Sequence, residues 1–516
     1  MTPRELRTTS LLLFVLGAWP LLLPVVPPLQ DLPNHLATVH ILLHPDRFPE
    51  LVGSGFFKTN TALFAWSYLL APHVGLVVAV KAFLGLSAGV WALVLPRFVA
   101  AFAGPDRARS ASLFAWPLVH SWFVSMGMLN YALSLPLVLL LLVVLDRQRR
   151  RPTLARGALA AAIALGTWFV HVFPIIVAGC LCLCEALREK DTRKRLRAAF
   201  LLCAPLAPTG LLTVGSALAH VVKIEGSPSA GDVISFSPLH RLVANVWENC
   251  LPGFTWLSAA PTLLPALSLP VLAFRNRREA PPFFSPVATV LVMLGYVLLP
   301  GGASNWWYLN TRLIPFIWFA LLVRAPARLP RGLGRSLVVA AGVYTVALGV
   351  DYLRLDRDRA AYTAGMAAVP EGASLLPLSF ESRVTSEFTA SAHHLWGFYT
   401  MERSAHVPLV FAVERSYPLL WKQFPPAQLV PPALDNFARL ARSPEVVCAQ
   451  LRAVGVAPAD CEAAWRERWR VFLDQAAPRF DHVLTWVAPP ELERVLGARY
   501  ERVFAKGPLE IWRRRR

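Results

Sequence analysis

Residues 126–151 read MGMLNYALSLPLVLLLLVVLDRQRRR, and that stretch decides the fold. It opens on a glycine-containing tip and continues as an apolar run long enough to cross a ~30 Å hydrocarbon core at about 1.5 Å per residue. It closes on the basic cluster Arg147 to Arg151. A second apolar run, 110–125, ends just before the tip, so the two runs read as a helical hairpin turning at Ser125 to Met128. The pattern returns at 156–170 and 172–187, with a turn around His171 to Pro174. Reading either pair as one long helix would put basic clusters on both sides of a membrane. Reading each as a hairpin puts every cluster on one side, as membrane proteins orient their basic loops.

Working outward, apolar runs recur at 10–28, 80–103, 198–221, 254–274, 283–300, 311–325 and 336–353, for about eleven spans in all. The run 10–28 carries Pro20, Pro24, Pro27 and Pro28 and no small-residue cleavage site, so it reads as a first transmembrane helix and not a signal peptide. The composition agrees: 55% of the 516 residues are hydrophobic and only 16% charged, against about 25% charged in soluble domains. Charge is scarce before residue 353 and ordinary after it. The fold class expected is therefore a polytopic α-helical membrane protein, residues 1–353, followed by a water-facing domain, residues 354–516.

The net charge of +19 would point to nucleic acid in a soluble protein. Here the basic residues sit between apolar runs, at Arg147 to Arg151, Arg188 to Arg197, Arg275 to Arg278 and Arg324 to Arg335. That is the orientation signal of a membrane protein, and no nucleic-acid partner is expected. With the N-terminus inside, the outer loops hold only Arg47, Lys58, Lys223, Arg241 and Arg312. An odd number of spans then delivers the C-terminal domain to the outer face. The first outer loop covers 30–61, the second 223–252, and a third, from Pro300 to Arg312, reads PGGASNWWYLNTR. Trp306, Trp307 and Tyr308 suit the aromatic belt at a membrane interface.

The outer domain mixes strands (Leu375 to Phe380, Val407 to Phe411, His482 to Val487, Tyr500 to Phe504, Leu509 to Trp512) with helices (Ala433 to Arg442, Pro444 to Val454, Cys461 to Gln475, Pro490 to Leu496). This is the pattern of a small α/β domain. Lys506-Gly507-Pro508 reads as the turn of a final hairpin. Seven cysteines do not make a disulfide framework. Cys180, Cys182, Cys184 and Cys203 read as small apolar packing groups, and a disulfide between Cys448 and Cys461 is left open.

Polar residues near the outer face carry whatever chemistry the chain has, because a carboxylate close to a membrane costs free energy unless hydrated or paired. Asp31, in PLQDLPNHLA, is the first such residue; it also suits the start of a Pro-led helix. His35, His40 and His44 follow on one helical face without a clear ligand constellation, so no metal is assigned. Asn130 and Tyr131 follow the first hairpin tip, His171 sits at the second, and Arg312 begins the tenth span. Each has an ordinary structural reading, as an interhelical hydrogen bond or a snorkelling cation. His393 and His394 read as packing or surface residues.

PLQDLPNHLA, MLNYALSL, HVFP and NTRLIPF, on this layout of spans, resemble the GT-C superfamily of lipid-linked-sugar glycosyltransferases. That group includes protein mannosyltransferases and aminoarabinose transferases, and the chain is similar above all to uncharacterised bacterial members. The resemblance implies a bacterial inner-membrane enzyme, a polyprenyl-phosphate-linked sugar as donor, and a glycan, lipid or protein acceptor outside the cytoplasm. It implies inversion, with Asp31 as general base, Arg312 and His171 on the donor phosphate, and His35, Asn130, Tyr131, Trp307 and Tyr308 around the substrate cavity. Family members commonly carry an acidic pair in the first loop where this chain has Gln30-Asp31, so neither a divalent metal nor another cofactor is carried over. Two other readings stand beside this one: a transporter or flippase of a lipid-linked precursor, for which no internal repeat is found, and a non-catalytic assembly protein of the same architecture.

Overall fold

The computed structural model describes residues 2–221, 234–303, 306–412, 417–423, 426, 429, 431–453, 455–456 and 460–516. Lys223, expected in the second outer loop, lies outside them. Of the described residues 65% are helical, and the chain divides into two compact units. One comprises Met1–Pro27, Phe56–Lys223 and Ser229–Leu353; the other comprises Pro28–Gly55, Ile224–Pro228 and Arg354–Arg516.

Among the described residues, six helices that begin in the first unit are long and apolar enough to cross a membrane: Pro3–Leu22, Leu76–Ala103, Leu129–Arg150, Thr192–Ser216, Trp256–Arg275 and Arg331–Ala368. Shorter apolar helices accompany them, among them Leu154–Val170, Val172–Ala186, Pro286–Leu298 and Thr311–Leu322. A helix lies on each apolar run read from the sequence, but some ends differ. The first helix begins at Pro3 because Thr2 and Glu5 form a capping box, each satisfying the other's backbone N–H. Proline-rich sequence then stops it near Leu22, short of the expected residue 28. The helix is interrupted at both expected turns. Gly127 adopts φ 84° before Leu129 restarts the helix, and His171 is extended between Val170 and Val172.

Two buried carboxylates in this unit are tied to backbone N–H groups. Glu185 accepts from Arg188 at 2.7 Å and from the Phe283 N–H at 3.0 Å, and pairs with Arg149 at 3.3 Å. Asp351 is fully buried and accepts from the Thr255 N–H, the Thr255 hydroxyl and the Ser258 hydroxyl at 3.2, 2.7 and 2.6 Å. A carboxylate at the start of the Trp256–Arg275 helix meets N–H groups that have no intrahelical partner, and the positive end of the helix dipole.

The second unit joins the segment after the first helix to the C-terminal third. Its four-stranded mixed sheet has the spatial order Leu375–Ser379, His482–Trp486, Leu509–Arg514, Tyr500–Lys506. The first pair is parallel and the others antiparallel. Gly507 turns the final hairpin at φ 57°. Helices Pro431–Leu440, Pro444–Ala453, Cys461–Ala476 and Leu492–Leu496 fall where the sequence placed them. The residues around Val407 to Phe411 do not form the expected strand. Their backbone is satisfied instead by the Asn34 amide, which donates to the Leu409 carbonyl at 3.4 Å and accepts from the Phe411 N–H at 3.3 Å. A short strand forms at Leu419–Trp421, pairing antiparallel with Leu51–Gly53 of the first loop.

Cys448 and Cys461 are bonded, with Cα atoms 5.4 Å apart. Closing a loop of that size stabilises by about 3 kcal/mol in the chain-entropy account. Cys448→Ser is accordingly expected to lower the unfolding free energy of this unit by about that amount. A reductant titration against thermal unfolding checks it: the wild-type midpoint falls to the variant's value, and the variant's own midpoint does not move.

Candidate functional site

The candidate residues fall into two groups, one in each unit. In the second unit, Leu32–Leu43 is a helix because Pro33 fixes helical backbone in its first turn and nothing breaks it before His44. Asp31 precedes it with helical backbone angles, and its side chain makes no capping hydrogen bond. The carboxylate is therefore turned to other partners. Gln30 Nε2 donates to Asp31 Oδ1 at 3.3 Å, and His394 Nε2 lies 3.4 Å from the same oxygen. Gln30 is held in turn by the Ala390 N–H, which donates to its Oε1 at 2.7 Å.

Around this pair the rings interlock. His393 and His394 have centroids 4.3 Å apart, His394 meets the Phe411 ring edge-on at 5.1 Å, and His35 meets it at 6.0 Å. Phe411 stacks on Tyr417 at 5.1 Å. Burial alone would raise the Asp31 carboxyl. The His394 hydrogen bond and the neighbouring imidazoles of His394, His35 and His393 outweigh it and hold the group below the usual carboxylate range. Asp31 is thus a carboxylate kept ionised, partly accessible at 19% exposure, against a histidine of 8% exposure.

His394 is the residue the sequence reading missed. It reads there as packing, and the structure places it on Asp31. Its only sequence signal is the doublet in AHHLWGFY, which says nothing of a carboxylate more than three hundred residues earlier. Of the other first-loop histidines, His40 and His44 have ring centroids 4.4 Å apart. His40 is pushed down to about 4 by burial, with help from the nearby His44 and Arg47. Among the described residues no group of three or more His, Cys, Asp or Glu side chains is arranged to hold a metal ion.

The approach of the Gly397–Arg403 helix positions this group. A Cβ on Gly397 would overlap the Pro33 carbonyl and lie 3.1 Å from the Asn34 nitrogen, so the two helix starts meet backbone to backbone. Gly397→Ala is expected to destabilise this unit by about 1–3 kcal/mol, the usual cost of overpacking. Thermal unfolding of the purified variant measures it.

In the first unit, Arg312 sits at the start of the Thr311–Leu322 helix. Its guanidinium lies over the rings of Tyr131 and Phe173, 5.9 and 6.0 Å from their centroids, within cation–π range. The Tyr131 hydroxyl donates to the Arg312 carbonyl at 2.5 Å, and its ring meets His171 edge-on at 5.3 Å. His171 Nδ1 accepts from the Phe173 N–H at 3.1 Å as the helix cap, which assigns the ring proton of the neutral imidazole to Nε2. Arg312, Tyr131 and His171 therefore form one cluster.

Asn130 has a different role. Its Oδ1 accepts from the Leu63 N–H and its Nδ2 donates to the Asn60 carbonyl, both at 2.9 Å, so the amide clamps the start of the Ala62–Val74 helix. Trp307 and Tyr308 are exposed at 58% and 39%. The Tyr308 ring stands edge-on to Trp122 at 5.3 Å. No protein-family model matches the chain, and no curated protein sequence matches it.

Proposed function

We propose that this chain is an integral membrane glycosyltransferase that moves a sugar, with inversion, from a polyprenyl-phosphate donor to an acceptor outside the cytoplasm. The observation that carries the reading is the state of Asp31: an uncapping, ionised, partly accessible carboxylate held against His394. In the reaction, the acceptor hydroxyl gives its proton to Asp31 as its oxygen attacks the anomeric carbon. The bond from that carbon to the phosphate oxygen breaks, and polyprenyl phosphate leaves with the electron pair. His394 keeps the carboxylate oriented.

The leaving group gains negative charge and needs no proton, so a fixed cation serves it best. Arg312 fills that role, because a guanidinium matches a phosphate bidentately, and the Tyr131 and Phe173 rings fix its place. His171 Nε2–H is a second donor to the same charge. The reading takes the chain as about eleven spans with the N-terminus inside. It sets both sites at the outer face of a bacterial inner membrane. The basic clusters support that orientation, and the Cys448–Cys461 disulfide supports an oxidising compartment for the C-terminal domain.

One observation favours a second reading, a non-catalytic assembly protein. Gln30, standing where an acidic partner would be expected, uses both ends of its amide to bridge Asp31 and Ala390. Proteoliposomes holding the full chain and a panel of radiolabelled polyprenyl-phosphate sugars separate the possibilities. A transferase moves label from lipid to acceptor, a flippase changes only which leaflet holds the labelled lipid, and an assembly protein does neither. The last two outcomes overturn the proposal.

A further inference from the structure

The helix Leu239–Glu248 has its apolar residues on one arc, and only half of that arc is used within its unit. Leu242 is buried, and its carbonyl accepts from the Tyr296 hydroxyl at 2.7 Å. The Val246 carbonyl accepts from Trp318 Nε1 at 3.2 Å. The neighbouring part of the arc is bare: Leu239 is 77% and Val243 83% exposed, one helical turn apart, and Phe236 just ahead is 63% exposed. Arg241 and Glu248, which pair with each other, occupy the opposite side.

We propose that this helix lies in the plane of the membrane surface, with Phe236, Leu239 and Val243 inserted among phospholipid acyl chains. The helix touches two apolar helices, through the Trp247 and Trp256 rings, centroids 5.7 Å apart, and through the Leu242–Tyr296 hydrogen bond, and both carry bare apolar side chains. Trp256 and Leu257, at the start of the Trp256–Arg275 helix, are exposed, as are Met293, Leu294, Val297 and Leu298 on the helix that carries Tyr296. A short helix with one apolar and one charged side, fixed at the end of membrane helices, is the form that lies in an interface. The same element reaches the Arg312 segment. Strand Ile234–Ser235 pairs with Gly302–Ala303, and that strand pairs with Trp306–Trp307. Asn310 Nδ2 also donates to Ser237 Oγ at 3.3 Å. The depth of the helix in the bilayer therefore sets the level of the backbone leading to Arg312. This inference does not depend on the transferase reading.

The test labels single cysteines with NBD in the full chain, placed in phosphatidylcholine nanodiscs after the free cysteines, exposed Cys180 among them, are changed to Ala. Val243→Cys and Leu239→Cys are expected to give blue-shifted emission, quenched by doxyl-labelled acyl chains and indifferent to aqueous iodide. Arg241→Cys is expected to give the reverse. Iodide quenching at 239 and 243 would overturn the proposal. Shielding of both positions from doxyl lipid and iodide alike would also overturn it, because protein would then cover the face. Two labelled positions guard against one variant failing to fold.

Discussion

Asp31→Asn is expected to lower the turnover of sugar transfer by about 10²–10⁴-fold, the range that general-base catalysis contributes, with little change in protein yield. The substitution is nearly isosteric. An asparagine can still accept from Gln30 and His394, so packing around Phe411 survives while the proton acceptor is lost. The loss should fall on kcat and leave acceptor KM close to wild type, because the interaction removed is made in the transition state. The pH profile gives a second readout. Since Asp31 titrates below the ordinary carboxylate range, its charge is present across neutral pH and is lost only as pH falls through that lowered value. Sign and window agree with the stability linkage: the carboxylate's folded-state interactions stabilise above the unfolded pKa and vanish in acid. Transfer rates for wild type and variant between mildly acidic and neutral pH check this. A wild-type acid limb near 6.5 would point to a histidine as the titrating base.

Arg312→Ala is expected to cost about 10²–10³-fold in turnover, the cost of deleting one fixed donor to a developing oxyanion. Arg312→Lys keeps the charge but loses the planar two-pronged contact, so it should recover only part of the loss. Both variants keep the backbone carbonyl that Tyr131 holds. Thermal unfolding separates this role from simple anchoring. A snorkelling arginine would give an Ala variant with normal transfer and altered stability, whereas phosphate binding gives the converse, together with weakened competition by free polyprenyl phosphate.

Local signals were legible in the sequence and distant ones were not. The helix Cys461–Ala476 starts where the sequence places it, and the last hairpin turns at the expected Gly507. The break at His171 follows from a polar residue between two apolar runs, and the ring proves to cap the second helix. Unreadable were pairings that only tertiary structure makes. Asn34 satisfies the backbone of Leu409 and Phe411, so an apolar stretch that reads as a strand has no need of a neighbour strand. Leu51–Gly53 looks like loop until Leu419–Trp421 is beside it. Likewise the candidate base was visible as a carboxylate in a greasy chain, while its histidine partner was not. Arg312 could be found as a cation at a helix start, but its ring cradle joins three separate segments.

The central claim is a single displacement at the anomeric carbon with Asp31 as the only carboxylate required. The most direct measurement is the anomeric configuration of the product, read by NMR after the purified chain acts on a polyprenyl-phosphate sugar of known configuration. The account predicts transfer with inversion and no sugar bound covalently to the protein. A product of retained configuration, or a glycosylated protein intermediate, would contradict it.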